Sequence, residues 1–446
     1  MTEFFDIVVI GSGVAGKSIA SGLAAEKNKV AIIEEDLWGG TCPNRGCDPK
    51  KVMISAVEAQ DKVNQLKGKG VKQAVKVNWS DLMAFKKTFT DPVPEQSRKS
   101  LDDSGVVTFT GTAKFTSHQA VKIGESIVKA NQFIIATGAR PFLLNIPGSE
   151  HFLTSDDFLS LQDLPDSITF VGGGYISFEL ATIANAAGAD VHIIQHNDTP
   201  LKAYDNEFVE EVMNTLKDKG VTFHLNTNLS RIEKTDAGYR MMDDGDFDLT
   251  TDLVFGTTGR IPNADTLNLE QAGVEYDKKG IQVDHNLRSS NPSIFALGDV
   301  LSKKEPKLTP VSSFEASYLL DYLTDKTDQP IVYPTIPTIV FTTPKLAQIG
   351  VTSAEAENNS QSYDVSTIDT SKWFSYSRSN EPVSKVTVVT EKETGLLVGA
   401  SCVNNEADQL INYFSFLINR KISAEELSTI MFAYPSIGSD LSSLYN

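Results

Sequence analysis

The chain has 446 residues, 40% hydrophobic and 22% charged, with a formal net charge of −18. Hydrophobic cores stop growing near roughly 250–300 residues, so this length implies three or four domains. The acidic balance would repel a phosphate backbone, which argues against nucleic acid or an anionic membrane as partner.

No stretch approaches the ~20 apolar residues of a membrane span. The N-terminus, "MTEFFDIVVIGSG", enters an apolar strand within a few residues and leaves no room for a signal peptide. The expectation is a soluble, cytoplasmic protein. Three cysteines do not make a secreted disulfide framework, and a disulfide in a reducing compartment is more often catalytic than structural.

In chain order, the first unit is "DIVVIGSGVAGKSIASGLAAEKNKVAIIEED": an apolar strand, then Gly11, Gly13 and Gly16 leading into an Ala-rich helix, then a second strand ending at Glu34. The first glycine allows a tight turn, the second lets backbone approach a pyrophosphate, and the third lets helix and strand pack closely. Glu34 then stands where a ribose would be bound. A Gly-rich loop that binds nothing is the plainer alternative.

Next comes "GGTCPNRGCDPKKVM", with Cys42 and Cys47 close together. Such a pair can be two thiols, two metal ligands or a disulfide that opens and closes. A metal site needs more ligands, yet Cys402 is remote and no histidine lies near residues 42 to 47, so no metal is expected.

"FIIATGARP", with Thr137 and Gly138, is an apolar strand running into a glycine turn, and "LVFGTTGRIPN", with Gly259, repeats the idea. Between them, "SITFVGGGYISFELATIANAAGADVHIIQH" repeats the dinucleotide pattern through Gly172, Gly173 and Gly174, with Ser177 at the third-glycine position and Gln195 where the first unit has Glu34. Two such units imply two dinucleotides exchanging electrons.

Gln195 is uncharged where an NAD-selective site usually has a carboxylate, and His196 and Lys202 follow it. NADPH is therefore expected in preference to NADH, although solvated loop residues would look the same.

"SIFALGDV" places Asp299 after a strand, where it could bind flavin hydroxyls or simply form a turn. Beyond about residue 330 the chain turns β-rich and then helical, as a separate α+β domain would.

Together these segments resemble the pyridine nucleotide–disulfide oxidoreductases, the family of glutathione reductase, dihydrolipoamide dehydrogenase and mercuric reductase. The most specific match is Gly39, Gly40, Thr41, Cys42, Asn44, Gly46, Cys47, Pro49, Lys50 and Lys51.

The resemblance implies an α/β fold with two Rossmann-like domains and a C-terminal α+β dimerisation domain. The segments would be 1–142 for FAD, 143–260 for NAD(P)H, 261–330 completing the FAD site, and 331–446 for a homodimer interface. It implies FAD held by the first unit together with Gly40, Thr41, Thr137, Gly138 and Asp299, and a pyridine nucleotide held by Gly172, Gly174, Tyr175, His196, Lys202 and Gly259.

By the same resemblance, electrons open a Cys42–Cys47 disulfide. Cys47 faces the flavin as the charge-transfer thiolate and Cys42 attacks a small-molecule substrate. A helix N-terminus nearby would lower a thiol's pKa. Lys50 lies by the flavin with Glu179 as its ion-pair partner, and Tyr175 is the aromatic gate, unless it is merely a buried Tyr at a helix start.

Departures limit the substrate. The family's C-terminal His-Pro-Thr…Glu segment is "FAYPSIGSDL" here: Tyr434 replaces the His, Ser439 replaces the Glu, Asp440 is the nearby acid, and the last histidine is His285. A phenol, with reference pKa ~10, is a poorer neutral-pH proton shuttle than an imidazole at ~6.5.

Positions that bind glutathione carboxylates through arginine in glutathione reductases are Ser21 and Ser317, and Val14 replaces a contacting serine. At ~1.5–3 kcal/mol per charge-assisted contact, glutathione disulfide is disfavoured. The expectation is an NADPH-dependent flavoenzyme reducing another small disulfide; the alternative is a metal-ion or quinone reductase of the same family.

Overall fold

A computed structural model describes residues 2–445, which divide into two compact units. The first comprises residues 1–49, 85–142 and 259–333.

In it, β1 (Thr2–Ile10) leads through the glycine turn to α1 (Val14–Ala25) and β2 (Val30–Glu34). The short α2 (Thr41–Arg45) and the start of α3 (Cys47–Gln65) follow. After α4 (Trp79–Thr90) and α5 (Val93–Asp103) come β3 (Val107–Thr110), β4 (Ala113–Ser117), β5 (Ala120–Ile123) and β6 (Ser126–Ile135).

The sheet runs β3-β2-β1-β6-β5-β4, and Ile294–Ala296 adds a further parallel strand beside β6. β1, β2, β3 and β6 are parallel neighbours, while β4 and β5 return antiparallel.

Val8, Val9, Ile32, Ile33, Ile134 and Ile135 are buried at the centre of this core. Continuous Val/Ile runs are what a parallel strand covered on both faces requires. α1 packs against the helix Thr309–Leu323, with Gly22 so close to Leu320 that a Cβ would stand 2.6 Å from its Cδ2.

The second unit comprises residues 50–84, 143–258 and 334–446. Its four-stranded parallel sheet runs Thr222–His224, Asp190–Ile194, Ser167–Val171, Leu253–Gly256. The helix Tyr175–Ala187 packs on this sheet, its residues Ser177 to Ala184 buried throughout.

An antiparallel meander, Arg231–Thr235, Gly238–Met242 and Asp248–Thr251, stands apart from that sheet's hydrogen bonding. The C-terminal part is a five-stranded antiparallel sheet, Thr338–Val340, Lys345–Gly350, Leu397–Asn404, Lys385–Glu391, Tyr363–Asp369, with the helix Ala407–Arg420 against it. Cys402 lies fully buried there, a small apolar side chain among Leu410, Phe414 and Leu441. The α/β class, with its two dinucleotide-type sheets and C-terminal α+β part, is as expected. No helix among the described residues is long and apolar enough to cross a membrane.

Candidate active site

The loop after β1 is held open by its glycines. Gly11 has φ +100°, and a Cβ there would stand 2.4 Å from the Ala136 carbonyl oxygen; at Gly16 it would stand 1.9 Å from the Gly11 carbonyl oxygen. Gly40, at φ +71°, brings its backbone against Gly13. At Gly13, the N-cap of α1, the space where a side chain would project is empty to 4 Å.

Glu34 accepts from the Ser12 amide at 2.8 Å, the Ser12 hydroxyl at 2.7 Å and the Asp36 amide at 2.9 Å, which fixes its carboxylate at the tip of β2. A glycine cradle before a helix N-terminus, with a carboxylate beside it, fits a dinucleotide pyrophosphate and its ribose. The residues present therefore suit FAD.

Thr41 opens α2. Thr137 donates through Oγ1 to the Asn263 carbonyl at 2.7 Å, Asn263 donates back to the Thr137 carbonyl at 2.9 Å, and Gly138 turns with φ +66° into open space. Gly259, also in this unit, has φ +128° with open space where a side chain would be.

Asp299 lies in a single 3-10 turn, Gly298–Val300. That turn is tied down by the fully buried Glu315, which accepts from the Gly298 amide at 2.7 Å, from the Tyr333 hydroxyl at 2.8 Å and from the Lys303 ammonium. Lys307 donates to the Asp299 carbonyl at 2.8 Å. Asn263, Lys303, Glu315 and Tyr333 were not singled out from sequence, since each acts on a residue far along the chain or through backbone.

The two cysteines meet across the break between α2 and α3. Cys47, the first residue of α3, lies 3.6 Å from the Thr309 hydroxyl, and Cys42 donates to Asp48 Oδ1 at 3.9 Å.

The Cys42 thiol is raised far above its usual value: hydrogen bonding with Cys47 is the largest cause, followed by burial and the charge of Cys47. Between two neighbouring sulfurs a second negative charge is opposed, so the pair carries its first negative charge far more readily than a second.

In the second unit, Lys50 and Glu179 form a buried ion pair, joined by Lys51 at 3.7 Å from the same carboxylate. The Phe341 amide donates to Glu179 at 2.8 Å. Burial alone would raise the Glu179 carboxyl; Lys50, Lys51 and the Phe341 amide overcome it and hold the group below the usual range. Tyr175 is half exposed at the start of its helix, 5.1 Å above the Lys50 ammonium, so it is not a buried packing residue. Nearby Tyr204 is pushed up to about 12 by burial, with Glu179 and Tyr175 adding to it.

Gly172, at φ +121°, would place a Cβ 2.6 Å from the Thr257 carbonyl oxygen. Gly174 caps the helix with empty space beside it, a cradle that fits a second dinucleotide. Ser177 replaces the third glycine by sending its hydroxyl to the Gly172 carbonyl and to the Thr257 hydroxyl, the latter at 2.7 Å.

The Gln195 carbonyl accepts from the Gly173 amide, and its NH₂ donates to Asn197 Oδ1 at 2.6 Å. His196 and Lys202 are exposed on the following connection, where His196 Nε2 lies 3.2 Å from the Asn197 amide nitrogen.

Tyr434 is 75% exposed and stacks on Phe374 at 6.4 Å between ring centroids. Asp440 is raised by burial, and its Oδ2 has no hydrogen-bond partner.

With this geometry in place, comparison with known proteins decides the family. Residues 5–316 match the model of the pyridine nucleotide-disulphide oxidoreductases, and residues 336–444 match that family's dimerisation domain. The chain belongs to this family. It is an NAD(P)H-dependent flavoprotein disulfide reductase by type, and FAD and a pyridine nucleotide are the family's cofactors.

The chain is 29% identical to a glutathione reductase of Burkholderia cepacia, over 99% of this chain and 98% of that one. It is 28% identical to a dihydrolipoyl dehydrogenase of Bacillus subtilis, covering 98% and 96%. Among solved structures it is similar to the HOCl-induced flavoprotein disulfide reductase RclA from Escherichia coli, with TM-score 0.90, 24% identity and 99% of both chains covered.

Proposed function

We propose that the chain moves electrons from NADPH through FAD to the Cys42–Cys47 pair and on to a small disulfide other than glutathione disulfide. The observation that carries this reading is the meeting of the two cysteines at the start of α3, where the Cys42 and Cys47 side chains hydrogen-bond each other beside Asp48 and Thr309.

FAD would be held by Gly11, Gly13, Gly16, Glu34, Gly40, Thr41, Thr137, Gly138, Lys50 and Asp299, and NADPH by Gly172, Gly174, Tyr175, Glu179, His196, Lys202 and Gly259. FAD, when bound, supplies a two-electron relay between nicotinamide and disulfide.

The chain's own residues do the rest. Glu179 keeps Lys50 charged and fixed, and Tyr175 covers the Lys50 ammonium. Cys42, as thiolate, attacks one sulfur of the substrate to form a mixed disulfide, and the released thiolate takes a proton from Tyr434 or water. Cys47 then attacks Cys42, which releases the second thiolate and restores the Cys42–Cys47 bond.

The four-segment division at 142, 260 and 330, and a cytoplasmic location, belong to this proposal. So does a homodimer, supported by the match to a dimerisation domain and by exposed apolar side chains such as Met431, at 98%, and Phe416.

A metal-ion or quinone reductase is the second reading, favoured by the lack of any histidine after His285. Such acceptors need no proton delivered to a leaving thiolate.

Stopped-flow turnover of the FAD-loaded enzyme with disulfides, metal ions and quinones separates the two when wild type is compared with Cys42→Ala. Full retention of NADPH-dependent activity by Cys42→Ala on the best acceptor would remove the dithiol route.

A further inference from the structure

We propose that Asp48 biases Cys42 toward cationic reactants, so that disulfides carrying an ammonium near the S–S bond are attacked in preference to those carrying a carboxylate. This rests on the disulfide-reductase reading and names its substrate class.

The Asp48 carboxylate is the acceptor 3.9 Å from the Cys42 sulfur, so an incoming disulfide must bring its substituents within a few ångströms of that charge. Of the cations near it in sequence, Arg45 pairs with Asp36, and Lys50 and Lys51 both pair with Glu179.

Asp48 sits in the first turn of α3, a place that favours a negative side chain. The Thr309 hydroxyl, 3.6 Å from the Cys47 sulfur and also bonded to Cys42, is a neutral neighbour of the pair, while Asp48 is the carboxylate bonded to the Cys42 sulfur.

Asp48 also adds to the upward shift of the Cys42 thiol, behind Cys47 and burial, so it is electrostatically felt at the sulfur. The formal net charge of −18 acts in the same direction at longer range. A unit charge about 6 Å from the carboxylate in a water-like dielectric changes a rate by about threefold to tenfold. The ratio of cationic to anionic reactants changes by about the square of that, and salt screens it.

The test uses FAD-loaded Cys47→Ser enzyme, which leaves Cys42 as the accessible thiol beside buried Cys402, with Cys42→Ser/Cys47→Ser as blank. Aminoethyl and sulfonatoethyl methanethiosulfonates are the cationic and anionic probes. In each reaction the Cys42 thiolate forms an S–S bond, and methanesulfinate leaves.

The cationic probe is expected to label at least about tenfold faster, with the ratio falling toward one when Asp48→Asn is added and when salt is raised. A ratio unchanged by Asp48→Asn overturns the proposal.

Turnover by the wild-type holoenzyme with cystamine and dithiodiglycolate then separates the two levels of the argument. Turnover of both without charge preference overturns the role of Asp48 and leaves the disulfide reading standing. Turnover of neither, with the labelling ratio intact, overturns the disulfide reading while the bias at Cys42 stands.

Discussion

The amide of Gly173 donates to the side-chain carbonyl of Gln195 at 2.7 Å, reproducing in the second nucleotide unit the bond that the Ser12 amide makes to the Glu34 carboxylate at 2.8 Å in the first. Gln195 thus keeps the structural task of the acid at the tip of the second strand without its charge. Restoring the charge should change coenzyme choice and little else. Gln195→Glu is expected to lower the ratio of NADPH to NADH efficiency, kcat/KM, by about tenfold or more, because a carboxylate binds ribose hydroxyls and repels a 2′-phosphate. An unchanged ratio would mean that Gln195 does not face the ribose.

The Lys50–Glu179 pair is buried, so breaking one side leaves a charge without its counter-ion. Glu179→Gln keeps an acceptor for the Phe341 amide yet removes the charge facing both lysines. A loss of about 3–5 kcal/mol is expected for removing one partner of such a pair. The urea midpoint of the apoprotein measures it. The double substitution Lys50→Met/Glu179→Leu should cost less than Glu179→Gln alone, and a double variant that is the sum of the singles would show that the two groups do not act as a pair.

The dinucleotide units were legible because their glycines act locally: a tight turn, a close strand–helix approach and an open N-terminus are all set within a short stretch around Gly11 or Gly172. The Lys50–Glu179 pairing was legible only through the resemblance, since nothing local joins residues so far apart in sequence. Asn263, Glu315 and Phe341 escaped notice for the same reason. Phe341 acts through a backbone amide that any residue could supply, Asn263 reaches the Thr137 carbonyl with its side-chain amide only once the fold brings the two together, and Glu315 looks like an ordinary helix-surface acid until the fold carries Gly298, Lys303 and Tyr333 to it. Asp48 was visible in the motif, but its approach to Cys42 depends on the turn at Gly46 between α2 and α3, which spacing does not reveal.

Gly40 combines a positive φ of +71° with contact against Gly13, where an added Cβ would stand 2.5 Å from the Gly13 Cα. Gly40→Ala should therefore displace the Gly13 loop and reduce FAD retention. Gly105, between α5 and β3 and outside the proposed FAD site, has a similar φ of +80° but open space around it. Gly105→Ala should carry only the backbone strain of about 1–2 kcal/mol. The flavin-to-protein absorbance ratio after gel filtration is expected to drop for Gly40→Ala and to stay near wild type for Gly105→Ala. Equal losses would place the effect in φ strain rather than in the Gly13–Gly40 approach.

Glu381, 7% exposed, is raised to about 7 by burial; neighbouring Glu406 adds to this, while the Asn405 amide, Lys62 and Lys345 oppose it. Its folded value lies above its unfolded one, so the native state holds the proton more tightly. The associated stability is complete below about pH 4.5, declines as pH rises toward 7, and is absent above. The difference corresponds to roughly 3 kcal/mol at most. Glu381→Gln keeps an acceptor for the Asn405 amide and has no proton to lose. It should raise the urea midpoint at pH 8 and flatten the decline between pH 5 and pH 7 seen in wild type. A decline of the same size in the variant would assign the pH dependence to other groups, because burying an ionised Glu381 would then carry no measurable penalty.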